Sequence, residues 1–415
     1  SDIYREHINI LLENGQAFRC FCTAERLDAL RAQQMENKQT PGYDGHCLHL
    51  GADEVKARLD AGEAHVIRMR VPETGDCVFH DRLRGEIRIA WQQIDMQVLM
   101  KSDGLPTYHF ANVVDDHLMQ ITHVIRGEEW INSTPKHVLL YQHFGWEPPQ
   151  FCHMPLLRNP DKSKLSKRKN PTSISYYKDM GYLPEAIVNY LGMMGWTMPD
   201  GREKFSLAEM QDAFDIDRVS LGGPVFDVAK LDWLNGKYIR ENLTPDTFAK
   251  VFAEWAFNED KIRAIIPLLK DRVERLSDVV PLAGFFLSGL LPVTAESFAH
   301  KQLAADDSKK ILQLALWSFE QSGEWSREAV EAICQRLAAF LGFKIRDTLF
   351  PLFVAVTGKP VSVSVIDSIA ILGLDVSRAR IRFAIELLGG VSKKEAKELE
   401  KAFREFQSFT LPEQE

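Results

Sequence analysis

The sequence predicts an α/β chain that becomes all-helical in its second half. Three observations carry this expectation. Residues 120–157 read strand, turn, helix, strand, the unit from which parallel sheets are built. The segments "HVIRMRV" (65–71) and "GEIRIA" (85–90) alternate apolar and polar residues, as half-buried strands do. From Thr244 onward the apolar spacing is helical almost without interruption.

The composition agrees. With 415 residues, 45% hydrophobic and 26% charged, the chain is globular and long enough for several domains. No apolar run approaches the roughly 20 residues of a membrane-spanning helix, so no membrane partner is expected. Six cysteines are too sparse for a disulfide framework, which points to a reducing, cytoplasmic setting and to metal where cysteines cluster. The net charge of −8 excludes a nucleic-acid binder that relies on bulk charge, though not a local basic stripe.

Taken in order, "SDIYREHINILLENG" sets Tyr4, Ile8, Leu11 and Leu12 on one helical face. A chain that opens without Met, inside an amphipathic helix, is expected to lack an N-terminal portion. "TAERLDALRAQQMENK" follows as a polar helix with Thr23 as its N-cap. In "QITHVIRGEEWINSTPKHVLLYQHFGW" (120–146) a strand ends near Arg126, Gly127 permits the turn, and Pro135 favours the first turn of a helix. "FCHMPLL" (151–157) is the next buried strand. Ligands of such folds bind at the carboxyl ends of the strands, which is where Arg126 lies. Beyond residue 171 helices dominate: "LPEAIVNYLGMMGW" opens on Pro184, and "SLAEM" pairs Ser206 with Glu209 as a capping box. The shift in pattern sets a boundary near residue 243.

Directly after the second strand comes "NPDKSKLSKRKN" (159–170), with Lys162, Lys164, Lys167, Arg168 and Lys169 within eight positions. Alone, such a run reads as a solvated surface. Its place at a strand end, the hydroxyls of Ser163 and Ser166 and the anchoring Leu165 favour a phosphate loop instead. Phosphoryl and nucleotidyl transfer need charge neutralised on a leaving group, which flexible lysines supply.

Within that loop, "KLSKR" (164–168) resembles the KMSKS signature of class I aminoacyl-tRNA synthetases, in the form typical of bacterial glutamyl-tRNA synthetases. The flanks "SDGLPTYHFANVVDDHLMQITHVIRGEEWINSTPKH" and "VSLGGPVFDVAKLDWLNGKYI" resemble the same family, most strongly over 102–240. The resemblance implies a Rossmann-type catalytic domain lacking its first half. It implies residues 1–109 as an inserted α+β acceptor-stem domain, with 1–19 alternatively the end of the first Rossmann half, 110–158 as the second Rossmann half, 159–243 as the signature loop with a stem-contact helical domain, and 244–415 as helical anticodon-binding domains, divisible near 291–300. The reaction implied is ligation of L-glutamate to tRNA-Glu, using ATP with Mg2+, by a monomer.

The resemblance also assigns residues. Lys164, Ser166, Lys167 and Arg168 inherit contacts to ATP phosphates and to the departing pyrophosphate. Tyr108, Asn112 and Arg126 match positions lining the glutamate site, and Glu129, Trp130 and Leu157 positions beside adenine and ribose. Read without the family, Tyr108 is a core aromatic and Arg126 an ion-pair partner of Asp115, Asp116 or Glu128. "CFC" and "CLH" offer Cys20, Cys22, Cys47 and His49, three thiolates and an imidazole of the kind structural zinc takes, or else two buried cysteines and an exposed histidine. The resemblance places one zinc there, in the domain that faces the tRNA acceptor stem. The family's His-x-Gly-His signature and its upstream glutamate-binding arginine are not found, so the sequence is expected to begin after the first half of the nucleotide fold. A non-catalytic tRNA-binding relic and a relative that glutamylates a tRNA base are the alternatives. The helical 244–415 argues against the second, and against a glutaminyl enzyme with two β-barrels. Phosphate contacts are expected from Arg68, Arg70, Arg82 and Arg84, from the 162–169 loop, and from Arg378, Arg380 and Arg382.

Overall fold

The computed structural model describes residues 2–165 and 173–411. Ser166, Lys167 and Arg168 lie outside the described residues. The chain divides into two units, one of residues 1–158, 193–203 and 210–225, the other of 159–192, 204–209 and 226–415.

The first unit opens on α1 (Asp2–Glu13), which buries Ile8 and Leu11 as its spacing required. Strand β1 (Ala17–Cys20) leads to α2 (Ala24–Glu36), where Thr23 accepts a hydrogen bond from the Arg26 amide; α2 buries no residue, in keeping with its polar sequence. Then come α3 (Ala52–Asp60), β2 (Val66–Met69), β3 (Asp76–Asp81), β4 (Gly85–Ala90), β5 (Val98–Met100), α4 (Tyr108–Leu118), β6 (His123–Gly127), α5 (Thr134–Phe144) and β7 (Gln150–Met154). Strands β1, β2 and β5 form an antiparallel sheet; the second sheet has the order β4-β3-β7-β6. In it β6 and β7 run parallel with α5 as their crossover, in a register that sets Arg126 opposite His153. Leu11, Met69, Leu99, Phe110, Val113 and Leu140 belong to the core shared by these elements.

Gly127 is not required for turn freedom. Its φ is −70°, open to any residue. A Cβ there would lie 2.0 Å from Glu129 Oε2, so a side chain at 127 would displace that exposed carboxylate from its place against the backbone.

The second unit is helical among its described residues. It comprises α6 (Ile174–Asp179), α7 (Pro184–Gly192), α9 (Val228–Asn242), α10 (Pro245–Ala256), α11 (Glu259–Leu269), α12 (Val279–Ala283), α13 (Ala305–Gln321), α14 (Arg327–Leu341), α15 (Ile345–Thr357), α16 (Val365–Leu387) and α17 (Lys393–Ser408); α8 (Leu207–Ala213) lies at the seam of the two residue sets. Gly373, at φ 80°, breaks α16. The predicted capping box before α8 is present, with Ser206 and Glu209 bonding reciprocally.

The arginines of α16 do not form a phosphate stripe. Arg380 is 1% exposed, and its guanidinium donates to the carbonyls of Phe285, Ser288, Gly289 and Val356 at 2.5–2.9 Å. Arg378 is buried beside Asp375, and Arg382 pairs with Glu320. Helical periodicity turned these cations inward, which net charge could not reveal. In the first unit Arg68 is likewise buried, over the Tyr43 ring at 4.1 Å, and Arg84 is held by Glu128 at 2.7 Å.

Candidate functional site

Arg126 stands at the end of β6, where the sequence placed it. Its Nε donates to His153 Nε2 (3.1 Å) and its Nη2 to Thr134 Oγ1 (2.8 Å); Nη1 faces His137 Nδ1 at 3.3 Å. Thr134, His137 and His153 are all buried. The rings of Trp130 and Phe151 lie 5.6 and 5.8 Å from the guanidinium carbon. Every one of these partners is uncharged.

The carboxylates offered as structural partners are engaged elsewhere. Asp115 accepts from the Tyr4 hydroxyl at 2.8 Å. Glu128 holds Arg84 at 2.7 Å and Arg158 at 3.6 Å. Asp116, its carboxyl raised by burial and by Asp115, bonds to Asn112. Among the described residues no carboxylate lies within ion-pair distance of Arg126. Burial lowers the guanidinium below its ordinary pKa, but an arginine remains charged across the neutral range. A half-buried cation whose direct hydrogen-bond partners are neutral, with Asp116 and Asp81 acting on it only from beyond pairing distance, is a strong site for an anion.

The protonation of the histidines follows from geometry. Asp81, fully buried at the end of β3, takes the His153 Nδ1–H at 2.6 Å and the His153 amide at 3.0 Å. That leaves Nε2 as a lone pair toward Arg126. His137 offers Nδ1 to Arg126 and its Nε2–H to His109 Nδ1, 2.8 Å away. Burial, with Arg126 and His109 close by, pushes His137 down to about 3. Burial also lowers His153 and His109.

Around this centre the first turn of α4 brings Tyr108, 56% exposed, within 5.4 Å of the Trp130 ring; Asn112 follows one turn later. Glu129 is exposed on the turn after β6, and Leu157, half-buried, follows β7. Tyr108, Asn112, Arg126, Glu129 and Trp130 thus come from α4, β6 and the turn that follows it.

In the second unit, residues 159–165 form a turn organised by Asn159, which is 2% exposed. Its Nδ2 donates to Ser163 Oγ (2.9 Å) and to the Lys164 carbonyl (3.0 Å). Lys162 has φ 64°, and Lys164 is exposed.

Cys20, Cys22 and Cys47 converge, their sulfurs within 4.8 Å of one another. Cys22 and Cys47 lie 3.6 Å apart. A tetrahedral zinc with bonds of about 2.3 Å sets sulfurs about 3.8 Å apart, so these thiols fit that ion. Burial, with Cys47 and Cys20 alongside, pushes Cys22 up to about 12. His49 does not join the group; it is exposed. Tyr43 stands there instead, its hydroxyl 3.4 Å from Cys20 Sγ, 3.9 Å from Cys22 Sγ and bonded to the Cys47 amide at 2.8 Å.

Sequence reasoning missed Asp81, Thr134, His137 and His153. One signal was available: a histidine inside the apolar "FCHMPLL", a polar group in a buried strand that needs a partner.

The family described as "tRNA synthetases class I (E and Q), catalytic domain" matches residues 1–233, and that described as "Anticodon binding domain" matches 247–385. A glutamate–tRNA ligase of Marinomonas sp. is 59% identical over 402 residues, 97% of this chain and 82% of that protein. One from Pseudomonas aeruginosa is 58% identical over 399 residues, 96% of this chain and 81% of its own. A crystal structure of a glutamate tRNA ligase from Elizabethkingia meningosepticum, in complex with its amino acid, aligns with a TM-score of 0.57 at 32% identity, covering 93% of this chain and 82% of that one.

Proposed function

Because the chain belongs to the glutamate–tRNA ligases of the class I tRNA synthetases and so ligates L-glutamate to tRNA-Glu, we propose that Arg126 is the group that reads a carboxylate of the amino acid. The reaction of this class has two steps. A carboxylate oxygen of glutamate attacks the α-phosphorus of ATP, and the bond to pyrophosphate breaks. A ribose hydroxyl of the tRNA 3′-terminal adenosine then attacks the acyl carbon and displaces AMP. The observation that carries the assignment is the ring of neutral partners around Arg126: His153, His137 and Thr134 orient the guanidinium, and among the described residues no carboxylate pairs with it directly.

Around it, Tyr108 and Asn112 supply polar contacts to glutamate. Glu129 and Trp130 lie beside the ATP ribose and adenine, with Leu157 as an apolar wall. Lys164, Ser166, Lys167 and Arg168 neutralise the pyrophosphate as it leaves, and Mg2+ accompanies the nucleotide. Cys20, Cys22 and Cys47 hold one structural zinc, with Tyr43 rather than His49 nearest the fourth position. The enzyme works as a cytoplasmic monomer.

Replacing Arg126 by lysine keeps the charge but loses the fork. Arg126→Lys is expected to weaken glutamate by about 1.5–3 kcal/mol, the scale of a hydrogen bond to a charged group, roughly 10- to 150-fold in KM. ATP KM and melting temperature change little. A normal glutamate KM with a lowered melting temperature assigns Arg126 to structure instead.

A further inference from the structure

We propose that His153 and His137 are positioning residues for Arg126, each turning one ring-nitrogen lone pair to the guanidinium so that its prongs are fixed while its charge stays available to substrate. The inference rests on Arg126 reading a carboxylate of glutamate. It adds the device that aims Arg126, and it names which nitrogen of each ring does the aiming.

The two rings present different atoms. His153 faces Arg126 Nε through Nε2, while its Nδ1 is tied to Asp81. A doubly protonated His153 would set an N–H against the Arg126 N–H, two donors face to face, which the 3.1 Å separation rules out. His137 faces Arg126 Nη1 through Nδ1, while its Nε2 is tied to His109. With Thr134 on Nη2, the three nitrogens of the guanidinium are each assigned a neutral acceptor. Had the device used a carboxylate in place of either imidazole, the same orientation would have cancelled the charge that attracts an anionic substrate.

The different atoms give a crossed test. An asparagine side chain places its terminal atoms near the Nδ1 position of histidine; glutamine reaches the Nε2 position. At 153 the working nitrogen is Nε2, so His153→Gln should stay close to the wild-type glutamate KM, and His153→Asn should raise it roughly tenfold, the loss of one hydrogen bond to a charged group. At 137 the working nitrogen is Nδ1, so the order reverses: His137→Asn stays close to wild type, His137→Gln raises KM. The ATP KM, measured on the same four proteins, should not move. A purely structural role predicts one common order at both positions, following melting temperature, and that result overturns the proposal. Glutamate KM unchanged in all four overturns it too. Arg126→Lys, run alongside, separates the two levels. A normal KM there removes the carboxylate reading itself; a raised KM there without the crossed pattern removes only the positioning role. Where one variant at a position fails to fold, the pair at the other position still decides.

Discussion

Replacing Asp81 by asparagine is the smallest change that reaches Arg126 without touching it. Asp81 accepts four hydrogen bonds: Leu83 and Arg84 amides on Oδ1, each at 3.0 Å, and the His153 amide and Nδ1 on Oδ2, at 3.0 and 2.6 Å. Asparagine has one oxygen. If it stays with Leu83 and Arg84, its NH2 meets the His153 amide, a buried donor left without an acceptor at a cost of about 1–3 kcal/mol. The imidazole then has two choices. It can keep its tautomer and lose a bond to a charged group, about 1.5–3 kcal/mol. Or it can move its proton to Nε2, recover a bond at Nδ1, and push an N–H toward Arg126. The first branch sums to about 2.5–6 kcal/mol, which brackets the cost of breaking a buried charged pair. At about 2–4 °C per kcal/mol for a unit of this size, melting falls by on the order of 10 °C. The second branch costs less stability but misaims the guanidinium and raises the glutamate KM. Calorimetry, the glutamate KM and the nitrogen-15 shifts of His153 distinguish the branches. An Asp81→Asn protein that melts within about 2 °C of wild type and keeps its glutamate KM refutes the reasoning.

Other outcomes follow from the remaining sites. Protein purified without chelator should carry one zinc per chain; Cys22→Ser and Tyr43→Phe should lose it or hold it more weakly, while His49→Ala keeps it. Normal aminoacylation by metal-free protein would make these ordinary thiols. Lys167→Ala should slow tRNA-supported ATP–pyrophosphate exchange by about 10²–10³-fold, as loss of one transition-state donor does; an unchanged rate removes Lys167 from the mechanism. His137, held down to about 3 when folded, titrates near its ordinary 6.5 when unfolded. The unfolded chain therefore binds more protons between those values, and this contribution to stability is intact above about 6.5 and is lost as pH falls toward 3. His137→Asn, which cannot take that proton, should lose less stability than wild type between pH 6.5 and 4; identical slopes would show that His137 titrates normally.

Local signals carried the fold where they were strong. The parallel β6–α5–β7 unit, the Thr23 cap and the helical second half were legible because periodicity, proline and capping residues agree there. Strand β3 was not anticipated, although "DCVFHD" buries every second residue. Aspartate, at both ends of this stretch, is a poor advertisement for a strand. Within the site, Arg126 was visible as a cation at a strand end. Its supports were not, because Asp81, Thr134 and His153 reach it from β3, the start of α5 and β7, through a register that no single stretch encodes. The cysteine cluster shows the same limit: spacing offered the near neighbour His49, whereas the chain folds Tyr43 onto the sulfurs.

The buried Arg380 has a consequence for how the helical unit comes apart. One guanidinium ties carbonyls that follow or end separate segments: Phe285, Ser288 and Gly289 before the loop to α13, and Val356 in the last turn of α15. Fraying of the first segment would take three of the four acceptors and fraying of the second the remaining one, in either case leaving a buried cation short of partners, which is costlier than losing the segment's own contacts. The low-energy openings that most helix ends enjoy are closed to these two. Their amides should exchange with solvent only when α16 itself opens, at one shared rate, so that segments some seventy residues apart in sequence behave as a single cooperative unit.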